Sequence, residues 1–177
     1  MRQRPANYYD AFDEAYRASW GMVLHHGWFD RERRRCRPAD VLLRFEEEIV
    51  RRLQLDPLAS IVLCDVGCGY GTLASSLVTR GLIDKVVAVT DSKSQVDHAL
   101  RTLPRSKGFQ IQHGSWLQNA FPADSFDRLI AIESLYHFPG DEKLSAIREV
   151  ARVLRPSGRA VVTVWLKKDD GLGSWSR

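Results

Sequence analysis

The stretch Ile61-Val62-Leu63-Cys64-Asp65-Val66-Gly67-Cys68-Gly69-Tyr70-Gly71 decides the fold of this 177-residue chain. An apolar, β-branched run that ends at Asp65 is typical of a buried parallel strand. The glycines at 67, 69 and 71 then let the backbone take positive φ and approach a ligand without a Cβ in the way. Because a helical pattern follows, the stretch predicts a strand, a tight ligand-binding turn and a helix.

The spacing of these glycines bears on which ligand the turn holds. A dinucleotide fingerprint reads G-x-G-x-x-G, and its last glycine packs the helix on the strand. Here the pattern is G-x-G-x-G, with Asp65 two positions before the first glycine. An acidic side chain at this place suits a cationic ligand better than a phosphate. The spacing therefore disfavours two alternatives, a nicotinamide-dependent oxidoreductase and a glycine-rich turn in some other α/β domain.

Composition and charge describe an ordinary globular domain, with 44% hydrophobic and 27% charged residues. Much of the net charge of +4 comes from residues 31–37, which we interpret as a solvated helix entry or an attraction for an anionic acceptor. Without a basic face interleaved with aromatic residues, we expect no nucleic-acid partner. Cys36, Cys64 and Cys68 form neither a disulfide framework nor a zinc spacing, so we expect no metal. With no secretory signal and no membrane span, we expect a cytoplasmic protein.

Strand and helix patterns alternate after the glycine turn. Strands are predicted at 85–90, 109–113, 127–133 and 159–165, with helices between them. This alternation predicts an α/β fold, a Rossmann-like doubly wound and mostly parallel sheet with right-handed crossovers. Two helices, at 6–20 and 39–55, precede it. Three local patterns add detail: an S-x-x-Q capping box at 92–95, an amphipathic helix marked by Leu144, Ile147, Val150, Ala151 and Leu154, and a closing turn at 155–158.

Further segments resemble one family, in order along the chain. They are the D-x-G-x-G-x-G turn, Tyr9-Asp10, Trp20-Gly21, His25-His26-Gly27-Trp28-Phe29, Val89-Thr90-Asp91-Ser92, Glu133-Ser134-Leu135-Tyr136-His137 and Leu154-Arg155-Pro156-Ser157-Gly158. Together they resemble the class I S-adenosylmethionine-dependent methyltransferases. Within that class, the chain is similar to the type 11-like group that methylates tocopherols, alkaloids and sarcosine.

The resemblance implies S-adenosyl-L-methionine as cofactor, bound at the carboxyl ends of the strands. It implies that the glycine turn holds the methionine part, with Asp65 acting indirectly through the amine, and that adenine lies after the third strand. The residues expected to bind the cofactor are Asp65, Gly67, Cys68, Gly69, Gly71, Thr90, Asp91, Gln95, Ser115, Trp116, Glu133 and Tyr16. The alternatives are a turn-capping role for Asp65, a helix-capping role for Gln95 and core packing for Trp116.

Two histidines are candidate bases. Methyl transfer is an in-line displacement, so positioning dominates and a base is needed only where the acceptor must lose a proton. His137 is the first candidate and His26 the second, because imidazole titrates near neutral pH; a surface or capping role is the alternative for His137. His25 is expected to be structural. Residues 1–58 are expected to form a helical lid and residues 59–177 the cofactor-binding core.

The resemblance also implies a sixth strand and an antiparallel seventh, which the tail at 167–177 is too short to supply. We therefore expect a sheet shortened to about five strands, with a second copy of the chain or another partner covering the last one. The expected activity is transfer of a methyl group to an O, N or C atom of a small organic acceptor. The alternative is a methyltransferase-like subunit or truncated form that holds the cofactor but needs a partner.

Overall fold

The structure, a computed structural model, describes residues 5–27, 37–56 and 58–165, with side chains from Tyr8 onward. Several expectations lie outside these residues: most of the basic run at 31–37, Cys36, the end of the signature at residues 28 and 29, and the tail from residue 167. Within them, no helix has the length and apolar character that crossing a membrane requires.

The amino-terminal part contains two short helices where the sequence predicts one. Helices α1 (Pro5–Ala11) and α2 (Asp13–Trp20) are separated at Phe12, whose φ of −114° and ψ of 13° leave the helical region. The remaining elements match the predicted alternation. They are α3 Pro38–Leu53, β1 Val62–Val66, α4 Thr72–Thr79, β2 Lys85–Thr90, α5 Lys93–Thr102, β3 Phe109–His113, β4 Phe126–Ile132, α6 Gly140–Val153 and β5 Leu154–Thr163, with 3-10 turns at Trp116–Gln118 and Leu135–His137.

The five strands form one sheet in the order β3-β2-β1-β4-β5, and every neighbouring pair is parallel. Strand β1 is central, and its Asp65 lies between Ala88 of β2 and Ile130 of β4. The chain is therefore a Rossmann-like α/β domain, as the sequence predicts. Because all strands run the same way, their carboxyl ends meet at one edge of the sheet.

Hydrophobic layers cover both faces of the sheet. Helices α3 and α4 pack on one face through buried residues such as Phe45 and Leu77. Helix α6 packs on the other face through Ala146. The sequence groups α3 with the lid at 1–58, whereas the structure makes α3 part of this core. Among the described residues, α1, α2 and the loop that follows them lie over the edge of the sheet, and we call these residues, 5–27, the lid.

The predicted inner face of α6 is wrong in part. Leu144 and Ile147 are 53% and 56% exposed, whereas Ala146, Val150 and Val153 are buried. The apolar pattern contains two overlapping stripes, each with one alanine. The structure packs the stripe of Ala146, Val150 and Val153 against the sheet.

Strand β5 begins earlier than the sequence predicts. Leu154 pairs with Phe126 and Arg159 with Arg128, so a bulge between these two pairs contains the segment expected to be a closing turn. Ser157 takes a φ of 66° within it. The predicted turn at 155–158 is thus present as a bulge inside β5 and does not precede the strand.

We predict that Gly71→Ala destabilises the fold more than Gly81→Ala does. Both glycines have positive φ, 71° and 67°, so each alanine carries a similar backbone cost of about 1–2 kcal/mol. A Cβ on Gly71 would lie 2.9 Å from Cζ of Phe109, whereas one on Gly81 would meet nothing within 4 Å. Overpacking at residue 71 should add about 1–3 kcal/mol, measurable as a lower urea midpoint. Equal midpoints for the two variants would contradict this packing role.

Candidate active site

The carboxyl edge of the sheet brings together residues from four segments. The glycine turn follows β1, Asp91 follows β2, Ser115 follows β3, and Glu133 to His137 follow β4. The lid lies across the same edge, with Leu24 Cδ1 beside the glycine turn. The site at this edge is therefore bounded by the strand ends on one side and by the lid on the other.

The glycine turn is held to β2 by its own backbone. The N–H groups of Gly67 and Cys68 both donate to the carbonyl of Val89, at 2.8 and 3.0 Å, and the N–H of Gly71 donates to Cys68 at 2.9 Å. The three glycines take φ values of 70°, 57° and 71°. The turn thus has the left-handed conformation that the sequence predicts.

The three glycines differ in what surrounds them. A Cβ on Gly67 would collide with the side chain of Ser134, and one on Gly71 with Phe109. At Gly69 the nearest atom would be Leu24 Cδ1, at 3.6 Å. Glycine is therefore required by packing at 67 and 71, and 69 is the position whose outer side is left open for a ligand.

Asp65 lies beneath this turn and is 3% exposed. Burial raises the pKa of its carboxyl to about 7, because the charged form has lost water. Among the described residues, none donates a hydrogen bond to this carboxyl. Burial also raises the pKa of the neighbouring Cys68 thiol, which donates to the Gly69 carbonyl at 3.5 Å. A cationic group bound at the turn would supply the positive partner that the Asp65 carboxylate lacks.

The residues expected at the ribose form a buried pair. Thr90 donates its hydroxyl to Oε1 of Gln95 at 2.8 Å, and both residues are under 5% exposed. Ser92 caps α5 by accepting from the Gln95 N–H at 3.3 Å, which is half of the predicted capping box. The second hydrogen bond of a capping box, from the Ser92 N–H to the Gln95 side chain, does not form, because this N–H donates to the Thr90 hydroxyl. Asp91 is half-buried, and burial raises the pKa of its carboxyl.

Two lid carboxylates bind this edge, and sequence reasoning missed both contacts. Asp10 accepts from the hydroxyls of Ser92 and Ser94 at 2.5 and 2.6 Å, and from the Ser94 N–H at 3.1 Å. Asp13 accepts from the buried Tyr70 hydroxyl at 2.6 Å. In the sequence, the signals for these contacts were the Tyr9-Asp10 signature and the tyrosine within the glycine turn. The contact of Asp10 joins the lid to the start of α5, and the contact of Asp13 joins it to the glycine turn.

The adenine side differs from the expectation. Trp116 is 4% exposed, packs in the core beneath α6, and donates its indole N–H to the Ala146 carbonyl at 3.0 Å. Its ring faces are covered by protein, so we correct its expected stack on adenine to core packing. Ser115 is half-buried and precedes the 3-10 turn that Trp116 begins. It remains as the polar side chain at this end.

His137 lies at the end of the 3-10 turn after β4, opposite the lid. The Tyr9 hydroxyl is 3.4 Å from its Nε2, and burial lowers the pKa of the imidazole. Burial raises the pKa of Tyr9 to about 12, so this phenol stays neutral. Tyr16 donates to the Tyr8 hydroxyl at 3.1 Å. Tyr16 therefore belongs to an aromatic cluster on the lid.

His26 and Glu133 meet beside His137. The imidazole Nδ1 of His26 is 3.0 Å from one carboxylate oxygen of Glu133, and the His26 backbone N–H is 3.2 Å from the other. The indole N–H of Trp165 donates to Glu133 at 3.1 Å, and the His26 and Trp165 rings lie edge-to-face at 4.4 Å. His25 stacks on Phe45 of the core at 4.6 Å, consistent with the structural role expected for it.

These features fit the cofactor that the sequence implies. S-adenosylmethionine carries an amine and a sulfonium, and Asp65 is a buried carboxyl without a described partner beneath an open glycine. Its adenosine would extend from Gly69 toward Asp91 and Ser115, along the strand ends. No group of three or more His, Cys, Asp or Glu side chains in the described ranges could hold a metal ion.

Comparisons with known proteins agree with this arrangement. The model of the methyltransferase domain family matches residues 64–162. The chain is 32% identical over 154 residues to 27-O-demethylrifamycin SV methyltransferase of Amycolatopsis mediterranei (strain S699), covering 85% of this chain and 54% of that protein. It is 29% identical over 172 residues to sterol 24-C-methyltransferase erg6 of Aspergillus fumigatus (strain ATCC MYA-4609 / CBS 101355 / FGSC A1100 / Af293), covering 92% and 42%.

Among solved structures, that of the [4+2]-cyclase SpnF superposes with a TM-score of 0.81 at 28% identity, covering 96% of this chain and 63% of that one. A sarcosine dimethylglycine methyltransferase fold from Galdieria sulphuraria superposes with a TM-score of 0.70 at 24% identity, covering 89% and 60%. The chain spans about half the length of the curated relatives it matches. Since the family model covers more than half of its residues, the chain belongs to the S-adenosylmethionine-dependent methyltransferase domain family.

Proposed function

We propose that this chain transfers a methyl group from S-adenosylmethionine to a small organic acceptor. The observation that carries the proposal is the buried carboxyl of Asp65, which has no hydrogen-bond partner among the described residues and lies near the carboxyl end of β1, two residues before the glycine turn. Burial without a partner disfavours the charged form of a carboxyl, and carboxyls perturbed in this way cluster at functional sites. The cofactor's amine and sulfonium have the charge that would compensate it.

The position of each residue then indicates its role in the proposed reaction. When bound, the cofactor supplies a methyl group on a positively charged sulfur, which keeps the bonding electron pair as the methyl leaves. Asp65 and Gly69 hold its methionine part, and Asp91 and Ser115 line the path of its adenosine. The lid excludes water and presses the acceptor against the strand ends. His137 and His26 lie on the acceptor side, where either can take a proton.

The chemical class of the acceptor follows from the surroundings of these histidines. Tyr9 and Tyr136 lie beside His137, while Trp20 and Trp165 contact His26. Aromatic walls suit an apolar acceptor with a flat or polycyclic body. Two relatives are named for the methylation of 27-O-demethylrifamycin SV and of sterols, and we infer a secondary metabolite as the acceptor of this chain.

Two other functions are alternatives. The superposition on a [4+2]-cyclase shows that a chain of this fold is named for cyclisation and not for methylation. The second alternative is a methyltransferase-like subunit that holds the cofactor and needs a partner for catalysis. In either case the cofactor would bind without methyl transfer to an added acceptor.

We expect the chain to bind S-adenosylhomocysteine in calorimetry and to transfer radiolabel from S-adenosylmethionine to one of a series of phenols, amines or sterol- and tocopherol-like lipids. Binding without labelling, alone or with a candidate partner, would favour the subunit or cyclase interpretation. Binding of a nicotinamide cofactor, with neither adenosyl ligand bound, would contradict the proposal outright.

Asp65→Asn should have opposite effects on binding and stability. The pKa of Asp65 rises from 3.8 when unfolded to about 7 when folded, so between these values the folded state holds more protons and stability falls as pH rises. Above pH 7 the whole penalty is present, and the uncharged variant should have a higher melting temperature than the wild type at pH 8. It should also lose S-adenosylhomocysteine affinity at least tenfold, because the amine of the ligand then has no carboxylate at residue 65 to pair with.

The matched control is Asp84→Asn, at the opposite end of the sheet, where the carboxylate accepts from the Ile61 N–H. This control should bind the ligand normally and gain no stability at pH 8. If Asp65→Asn binds as tightly as the wild type, Asp65 caps the turn and does not serve the cofactor.

A further inference from the structure

We propose that His26 and Glu133 form a catalytic dyad, in which Nε2 of His26 is the base and Glu133 positions it, and that the acceptor therefore carries a hydroxyl proton. This inference rests on the proposed function. It is carried by three N–H donors that meet at one carboxylate: the imidazole Nδ1 and backbone N–H of His26, and the indole of Trp165.

The hydrogen bond to Glu133 determines the state of the imidazole. Nδ1 of His26 lies 3.0 Å from a carboxylate oxygen, and that oxygen also accepts from Trp165. Nδ1 must therefore carry the hydrogen. In the neutral ring the lone pair then lies on Nε2, the arrangement that a carboxylate imposes on a histidine base.

Glu133 is itself held in place. Its φ of 50° is unusual for a residue with a side chain, and its N–H donates to both the carbonyl and the hydroxyl of Thr163, at 3.1 and 3.0 Å. The side chain is 12% exposed, whereas that of His26 is 44% exposed. A fixed, sheltered carboxylate beneath a partly open imidazole leaves Nε2 able to reach an acceptor.

His137 is less suited to the same task in this closed arrangement. Its Nε2 already faces the Tyr9 hydroxyl at 3.4 Å. Burial lowers the pKa of its imidazole, which makes it a weaker base. Among the described residues, the titratable groups that face it are Tyr9, Tyr136, Asp91 and Glu133. The geometry thus favours His26, the second candidate from sequence, and leaves Glu133 as a positioning residue rather than a contact of the cofactor.

The proton balance of the step is simple. The hydroxyl oxygen of the acceptor forms the new bond to the methyl carbon and gives up its proton. Nε2 of His26 takes that proton, and the resulting imidazolium is paired with the Glu133 carboxylate. The exposed side of the ring then returns the proton to water. No further reactant is required.

The dyad spans two parts of the fold. His26 belongs to the lid, and Glu133 directly follows β4 of the sheet. The base is consequently assembled only when the lid lies on the strand ends. Proton removal is thereby restricted to the closed state.

The tautomer tests the dyad without any acceptor. In nitrogen-15 spectra of the histidine-labelled full chain, with signals assigned by His26→Gln, the neutral ring of His26 should have a protonated Nδ1 and an unprotonated Nε2. Glu133→Ala should abolish this preference, while Glu149→Ala, which removes a carboxylate that accepts from Arg152 on α6, should retain it. A protonated Nε2 in the wild-type chain would overturn the proposal.

Kinetics with a phenol that the wild-type chain labels provide a second test. His26→Gln should lower kcat at least a hundredfold, the usual effect of a general base, with S-adenosylhomocysteine affinity within threefold of the wild type. Adding Glu133→Ala to His26→Gln should lower kcat no further, because the two residues act as a unit. A larger loss in His137→Gln than in His26→Gln, or additive losses in the double variant, would overturn the dyad.

These outcomes separate the dyad from the proposed function. If the wild-type chain labels a phenol and His26→Gln does so equally well, the methyltransferase stands and the dyad falls. If only a sterol-like alkene is labelled, the hydroxyl-acceptor inference is wrong. If neither adenosyl ligand binds, the proposed function falls, and the tautomer alone still decides whether Glu133 positions His26.

Discussion

The carbonyl of Val89 is the constraint on which the site depends. It accepts from two consecutive N–H groups, those of Gly67 and Cys68, and so fixes the turn after the central strand to the strand beside it. With that turn fixed, Asp65 lies beneath it, and α4 begins at once behind Gly71. The open side of Gly69 then faces the lid. A turn free to move here would leave a buried carboxyl with no defined place for a ligand.

Charged and hydroxyl groups attach the lid at three points, in addition to the stacking of His25 on Phe45. Asp10 binds the start of α5, Asp13 binds the tyrosine of the glycine turn, and Glu133 binds His26 from the sheet side. Each contact pairs one lid residue with a different strand end. The lid is therefore placed relative to all parts of the predicted cofactor path at once, which hydrophobic contact alone would not achieve because it has no direction.

The sequence predicts the sheet well and the site unevenly, for physical reasons. Strand and helix periods are local, so the five strands could be located to within a few residues. Parallel strand ends must share an edge, so the expected site residues come together. Contacts such as Asp10 with Ser92 or Trp165 with Glu133 join distant segments and have no period. Trp116 and the inner face of α6 depended on packing volume, which a pattern of apolar letters does not record.

The composition of the lid also sets how stability is distributed through the molecule. Helix α2 has no buried residue, whereas α3 supplies four buried side chains to the core. Apolar burial contributes most of the free energy that opposes unfolding. Detaching α1 and α2 therefore breaks a few polar contacts and leaves the central layers intact. Amide hydrogens of the lid should exchange through a low-energy local opening, whereas those of β1 and β4 should exchange only through global unfolding. An enzyme built this way can exchange its ligands many times without approaching denaturation.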